Sequence, residues 1–243
     1  MPVLANVETE FSGGRSRYDG MNVSYRRRMA KHISINTSYV LSRALAYNGT
    51  AAAFRNRPTD MFNWFQPSDF GPTPSDETHR FVFSGVVDLP WGIRFSPFLQ
   101  WASARPYSSA QGIDVWGYGR NNAHAILLTD QPTNYKATVS YSAADARACL
   151  ASGKCFQDPF DSLRGQPFFQ FDARLGKTFR FKERMTLEGF FQAFDITNRA
   201  NYGGNYNGNI RSSTFQQPVG FITPSGVIVP RSYSGEFGAT FRF

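Results

Sequence analysis

The final stretch of the chain, RSYSGEFGATFRF (231–243), alternates almost without a break. Tyr233, Gly235, Phe237, Ala239, Phe241 and Phe243 fall on one parity. Ser232, Ser234, Glu236, Gly238, Thr240 and Arg242 fall on the other. A period of two is the mark of a strand with one apolar and one polar face. Strands of soluble sandwiches usually run to about five or six residues. About ten residues is what a tilted strand needs to cross a bilayer.

The same period recurs near 3–12, 18–29, 32–44, 79–89, 92–105, 167–181 and 183–197. In MNVSYRRR, Met21, Val23 and Tyr25 oppose Asn22, Ser24 and Arg26. In FFQFDARLGKTFRF, Phe169, Phe171, Ala173, Leu175 and Phe179 oppose Gln170, Asp172, Arg174 and Thr178. MTLEGFFQAF is less regular, because Phe190 and Phe194 share the polar face with Glu188 and Gln192. The connections between these segments alternate in length. Short turns are expected at Met29–Lys31, Leu89–Gly92 and Lys182–Arg184, and long connections near 45–78, 106–166 and 198–230. Outer-membrane barrels keep short turns on the periplasmic rim and long loops on the extracellular rim. Sandwich connections do not segregate by length in this way.

The expected fold is therefore all-β: an antiparallel, up-and-down transmembrane barrel segment of about eight strands. Composition permits it. Mean hydropathy is −0.38, and no apolar run approaches the ~20 residues of a transmembrane helix, which excludes a helical membrane protein but not a barrel whose strands are half polar. The start, MPVLANVETEF, has neither a basic n-region nor a long apolar h-region. The net charge is +8, and basic loops facing anionic lipopolysaccharide are one reading of it. The arginines are scattered along alternating strands rather than gathered in a stripe, so no nucleic-acid partner is expected.

Residues 161–204, DSLRGQPFFQFDARLGKTFRFKERMTLEGFFQAFDITNRANYGG, resemble the last strands of TonB-dependent outer-membrane receptors of the Oar-like branch. The matching positions are Ser162–Gly165, Lys177–Phe179, Glu183–Arg184, Ala193–Phe194, Asn198–Arg199 and Pro230–Arg231. Upstream, SRYDGMNVSYRRRMAKHISINTSYVLSRAL and HRFVFSGVVDLPWG fit the same branch. The resemblance implies that residues 1–243 are the C-terminal strands of a nutrient receptor in the outer membrane of a Gram-negative-type cell. Its signal peptide, plug and N-terminal strands would lie outside this chain. It implies as partners outer-membrane lipid and lipopolysaccharide, the barrel assembly machinery, and TonB through the plug alone. It also implies a small-molecule, glycan or peptide substrate. Phe243 would be the terminal aromatic that the assembly machinery reads. The competing reading is a self-contained small barrel with an adhesive or structural role.

The residues suggest little chemistry. There is no HExxH, GxSxG, P-loop or complete GxGxxG motif, so no enzyme, cofactor or metal site is expected. His32, His79 and His124 show no ligand spacing. GIDVWGYGRNN keeps only Asp114 where a calcium loop needs several oxygens. Cys149 and Cys155 lie in the longest connection and would pair in an oxidising compartment. Glu188 and Glu236 are expected to face each other in the interior, near Arg174 and Arg242. Phe62, Trp64 and Phe65, in the aromatic loop MFNWFQPSDF, are candidate ligand contacts. Trp91 and Trp101 are expected at the two membrane interfaces.

Overall fold

A computed structural model describes residues 13–47, 65–117, 119, 121, 123–181, 185–221 and 232–243. Long strands form where the two-residue period is strongest: β1 (Ser16–Ala30), β2 (Ile33–Tyr47), β4 (His79–Leu89), β5 (Ile93–Ala102), β10 (Phe168–Phe181), β11 (Met185–Phe194) and β12 (Ser234–Arg242). With the short β3 (Phe70–Pro72) they make one eight-stranded sheet. Its path is β1-β2-β4-β5-β10-β11-β12, and β3 pairs with β2 off that path. Every neighbour is antiparallel.

This corrects one expectation. The eighth strand of the described sheet is β3, from within the first long connection. The segment near 3–12 lies outside the described residues. β1 and β12 are the sheet's edges, and the alternation along the path points them the same way. They cannot pair antiparallel with each other, and the sheet is open.

The register carries the main argument. Along the path, odd residues stand opposite odd residues: Val23 against Tyr39, Tyr39 against Phe81, Phe81 against Trp101 and Trp101 against Phe169. Further along, Leu175 opposes Phe191, and Phe191 opposes Phe237. On the path parity slips only at a bulge between Arg27 and Ala30, beside a turn, while the off-path β3 pairs odd with even. One sheet face is thus apolar through its middle, because partners in a ladder share a face, and the charged residues of that parity, Arg17, Asp19 and Arg43 at one end and Arg27 and Lys177 at the other, lie toward the rims. Among the described residues no second sheet covers it. Phe237 is 86% exposed, and Met21, Val23, Tyr25 and Leu175 are also exposed. An apolar face of this extent, open on a chain whose opposite face is polar, is the arrangement of a strand layer against lipid.

The turns and loops separate to opposite rims. β1 and β2 join through Lys31 and His32, both with positive φ (49° and 70°), as a primed two-residue hairpin requires. β4 and β5 join through Pro90–Gly92. Gly92 has φ 74°, and a Cβ there would lie 2.8 Å from the Thr178 carbonyl oxygen, so the position needs glycine. β12 ends on this rim too, with Arg242 opposite Thr186.

The longest connection is not structureless. It contains β6 (Pro106–Tyr107), β7 (Ile126–Leu128), α1 (Ala143–Ala151), β8 (Cys155–Gln157) and β9 (Leu163–Arg164). α1 starts with a reciprocal capping box between Ser142 and Asp145. The largest fully buried apolar side chains among the described residues lie here: Val115, Ile126 and Leu127, joined by Ile210 from the last long connection.

Candidate functional site

Two regions hold polar side chains that converge: the even-numbered face of the sheet and the loop cap above it. On the sheet, Arg174 Nη2 lies 3.0 Å from Glu188 Oε1, and its guanidinium sits 3.7 Å from the centre of the Phe190 ring. Gln170 donates to Asp172, which also accepts the Asp195 amide at 2.8 Å. The expected facing of Glu188 and Glu236 is corrected by the register. Glu188 stands opposite Thr240, and Glu236 stands opposite Gln192, two same-face positions further along the ladder. The polar face is therefore lined by separate small networks rather than by a carboxylate pair.

At the loop rim the networks tie the loops together. Glu77 accepts from Arg80 at 2.8 Å and from Arg105 at 2.7 Å. Asp76 is buried, accepts the Ala44 amide and meets Arg164 at 3.2 Å. The second and third long connections are joined by a bridge between Ala110 and Asn209, by Lys136 Nζ donating to the Ile210 carbonyl, and by Tyr107 stacked on Tyr206 at 5.2 Å. Gly208 makes that approach possible, since a Cβ there would lie 2.0 Å from the Ser108 carbonyl oxygen.

Within the cap, Asp158 is a buried hub. Its Oδ2 accepts from Ser109 Oγ and Ser162 Oγ, both at 2.5 Å, and from Tyr135 OH at 3.2 Å. Burial and the Asp158 charge push the Tyr135 hydroxyl up to about 12. His124 Nδ1 is 2.8 Å from the Asp158 carbonyl oxygen, and its ring stacks on Phe160. Asp161 accepts from Ser108 Oγ at 2.6 Å, and its other oxygen has no hydrogen-bond partner among the described residues. Burial raises its carboxyl to about 6. These serines donate to carboxylates rather than to an imidazole, so the cluster lacks the serine–histidine bond of a nucleophilic triad. Its geometry fastens loops.

The sequence-predicted site residues are dispersed. Phe62 and Trp64 lie outside the described residues. Phe65 packs edge-on against Tyr47 at 5.2 Å, at the end of β2. Cys149 and Cys155 are joined by a disulfide with a Cα–Cα distance of 5.3 Å, connecting α1 to β8. Phe243 is 95% exposed on the short-turn rim. Asp114 accepts the amides of Gly117 and Gly119, shaping its own loop. The Asp158 hub and the Asp76–Glu77 network were not anticipated. Their members are far apart in sequence, so no local spacing announces them; the one signal was the cysteine pair beside them.

The family comparison agrees with this architecture. The family model described as an outer membrane beta barrel domain matches residues 1–232. The outer membrane transporter YddB from Escherichia coli is a similar solved structure, with 12% identity and a TM-score of 0.40. The match covers 94% of this chain and 25% of that one, so this chain spans about a quarter of the transporter's length. No curated protein matches. With its family model matched over nearly the whole length, the chain belongs to the outer membrane beta barrel domain family and resides in the outer membrane.

Proposed function

We propose that the chain is the C-terminal barrel portion of a TonB-dependent nutrient receptor. The observation that carries this reading is the ordered set of strand and turn motifs in residues 161–204. These form β10 and β11 in continuous register, with the "NR" turn beyond them. The loop cap supports the same role. The described parts of three long connections are tied together on one rim, as selection of a ligand from outside requires. TonB would act through a plug contributed by other parts of the receptor. The substrate would be a siderophore, an oligosaccharide or a peptide.

The test is uptake by whole cells. Deleting the gene should abolish accumulation of one solute from a panel of those three classes, and deleting TonB should do the same. Uptake that needs the gene but not TonB would overturn the receptor reading. Loss of surface attachment with all uptake intact would favour the self-contained adhesive barrel.

A further inference from the structure

The short-turn rim carries a charge imbalance that the loop rim lacks. Near the loops the described side-chain carboxylates are about as numerous as the cations, and some of those cations are ion-paired: Arg17 with Asp19, Arg80 and Arg105 with Glu77, and Arg164 with Asp76. At the other rim the described carboxylates are Asp88 and Glu188, and both are taken, by Arg94 and Arg174. Arg27, Arg28, Lys31, Lys177, Arg180 and Arg242 have no carboxylate within ion-pair distance among the described residues. All except the half-buried Arg27 are exposed.

These cations are interleaved with exposed apolar side chains. Trp91 is 83% exposed in the β4–β5 turn, and Phe179, Phe181 and Phe241 stand on the apolar face beside it. Lys177 also lies on that apolar parity, opposite Ile93 and Gly189, with its ammonium 5.1 Å from the Phe179 ring. A lysine stem lying on apolar surface with its ammonium free reaches toward the headgroup layer. Aromatic rings at the same level anchor in that layer. Uncompensated positive charge there attracts the phosphate of lipid headgroups, most strongly where no headgroup ammonium offsets it.

We propose that this rim is a docking surface for anionic phospholipid headgroups of the leaflet on the short-turn side. Arg27, opposite Ile35 on the apolar parity, and Lys31 in the turn would contact lipid phosphate, and Lys177 would draw one headgroup down onto the apolar face. The surface rests on the outer-membrane assignment and is independent of what the barrel transports.

The test uses the full chain in a neutral detergent, with native mass spectrometry counting bound phosphatidylglycerol against phosphatidylcholine of the same chain length. The wild type should prefer phosphatidylglycerol, and high salt should weaken that preference by screening. One basic residue near an anionic surface changes affinity roughly fivefold. The variant Arg27→Gln/Lys31→Gln/Lys177→Gln should therefore lower phosphatidylglycerol affinity about a hundredfold. A loop-rim control, Arg43→Gln/Lys154→Gln, should leave it unchanged. Circular dichroism checks the sheet in each variant. If the triple variant loses the sheet, Lys31→Gln alone, in the turn, should still show the roughly fivefold loss. Equal binding of the two lipids overturns the proposal. So does an equal loss in the control, or full displacement by inorganic phosphate, which would mark a free-phosphate site instead.

Discussion

Phe190 on β11 and Gly238 on β12 are direct ladder partners, and a Cβ on Gly238 would lie 2.3 Å from the Phe190 ring. On the other side of β11, Phe190 faces Gly176 of β10. The ring thus spreads over backbone that carries no side chain, while Arg174 stacks on it. This explains why an aromatic residue breaks the alternation: on the polar face it covers glycine and supports a cation. Gly238→Val should cost about 1–3 kcal/mol through overpacking, read as a shift in urea-dependent unfolding from lipid. Adding Phe190→Ala should recover part of that loss. Two purely additive costs would show that the ring and the glycine are not coupled.

The parity rule gives a sharper test of which face meets lipid. Val23 and Ser24 are adjacent at the middle of β1 and point to opposite faces. Val23→Arg should cost about 2–4 kcal/mol, the range for a cation at mid-depth on a lipid-facing strand. Ser24→Arg should cost far less. Equal costs in folding titrations into vesicles would contradict the assigned orientation. Asp172 would be a poor control here, since it accepts both the Asp195 amide and the Gln170 side chain.

Much of this sheet was legible in the sequence because a two-residue period is a local signal and each strand carries it alone. The short turns were legible nearly in place for the same reason: the one expected at Met29–Lys31 forms at Lys31–His32, the one expected at Leu89–Gly92 forms at Pro90–Gly92, and Lys182–Arg184 lies outside the described residues. The cap was not. Ser109 reaches Asp158 across 49 residues, and Lys136 reaches Ile210 across 74. Contacts at that separation leave no period, and the short strands β6 to β9 are too brief to show one. Glu188 and Glu236 failed for a related reason. Their shared face followed from parity, but their spacing along the ladder depends on register, which the intervening loop conceals.

The disulfide gives a prediction confined to the cap. Cys149 and Cys155 close a short loop between α1 and β8, against the cluster of Val115, Ile126 and Ala146. Closing so short a loop stabilises by about 2 kcal/mol in the chain-entropy account. Cys149→Ala/Cys155→Ala should raise amide exchange in residues 123–157 while leaving β10 and β11 as protected as before. Unreduced, denatured protein made by an oxidising route should bind no thiol reagent. Labelling at both cysteines, or faster exchange spread evenly over the sheet, would contradict this.

Asp161 should make the cap sensitive to acid in an unusual direction. Its carboxyl is buried, one oxygen accepts from Ser108 Oγ, and the other has no hydrogen-bond partner among the described residues. Burial opposes the charged form and raises the carboxyl from 3.8 to about 6, while Ser108, His124 and Arg164 pull the other way. The folded cap therefore binds a proton more tightly at this group than the unfolded chain does. Where the native state holds more protons, stability falls as pH rises. The contribution is complete below about pH 4 and is lost as pH passes about 6. The full shift corresponds to about 3 kcal/mol. Asp161→Asn keeps an acceptor for Ser108 and removes the titration, so it should flatten this part of the pH profile and stabilise the cap at pH 7. The measurement is amide exchange of residues 105–165 at several pH values, in wild type and variant. A wild-type cap that grows more protected between pH 4 and pH 7, after correction for intrinsic exchange, would show that this carboxyl is ionised at no cost.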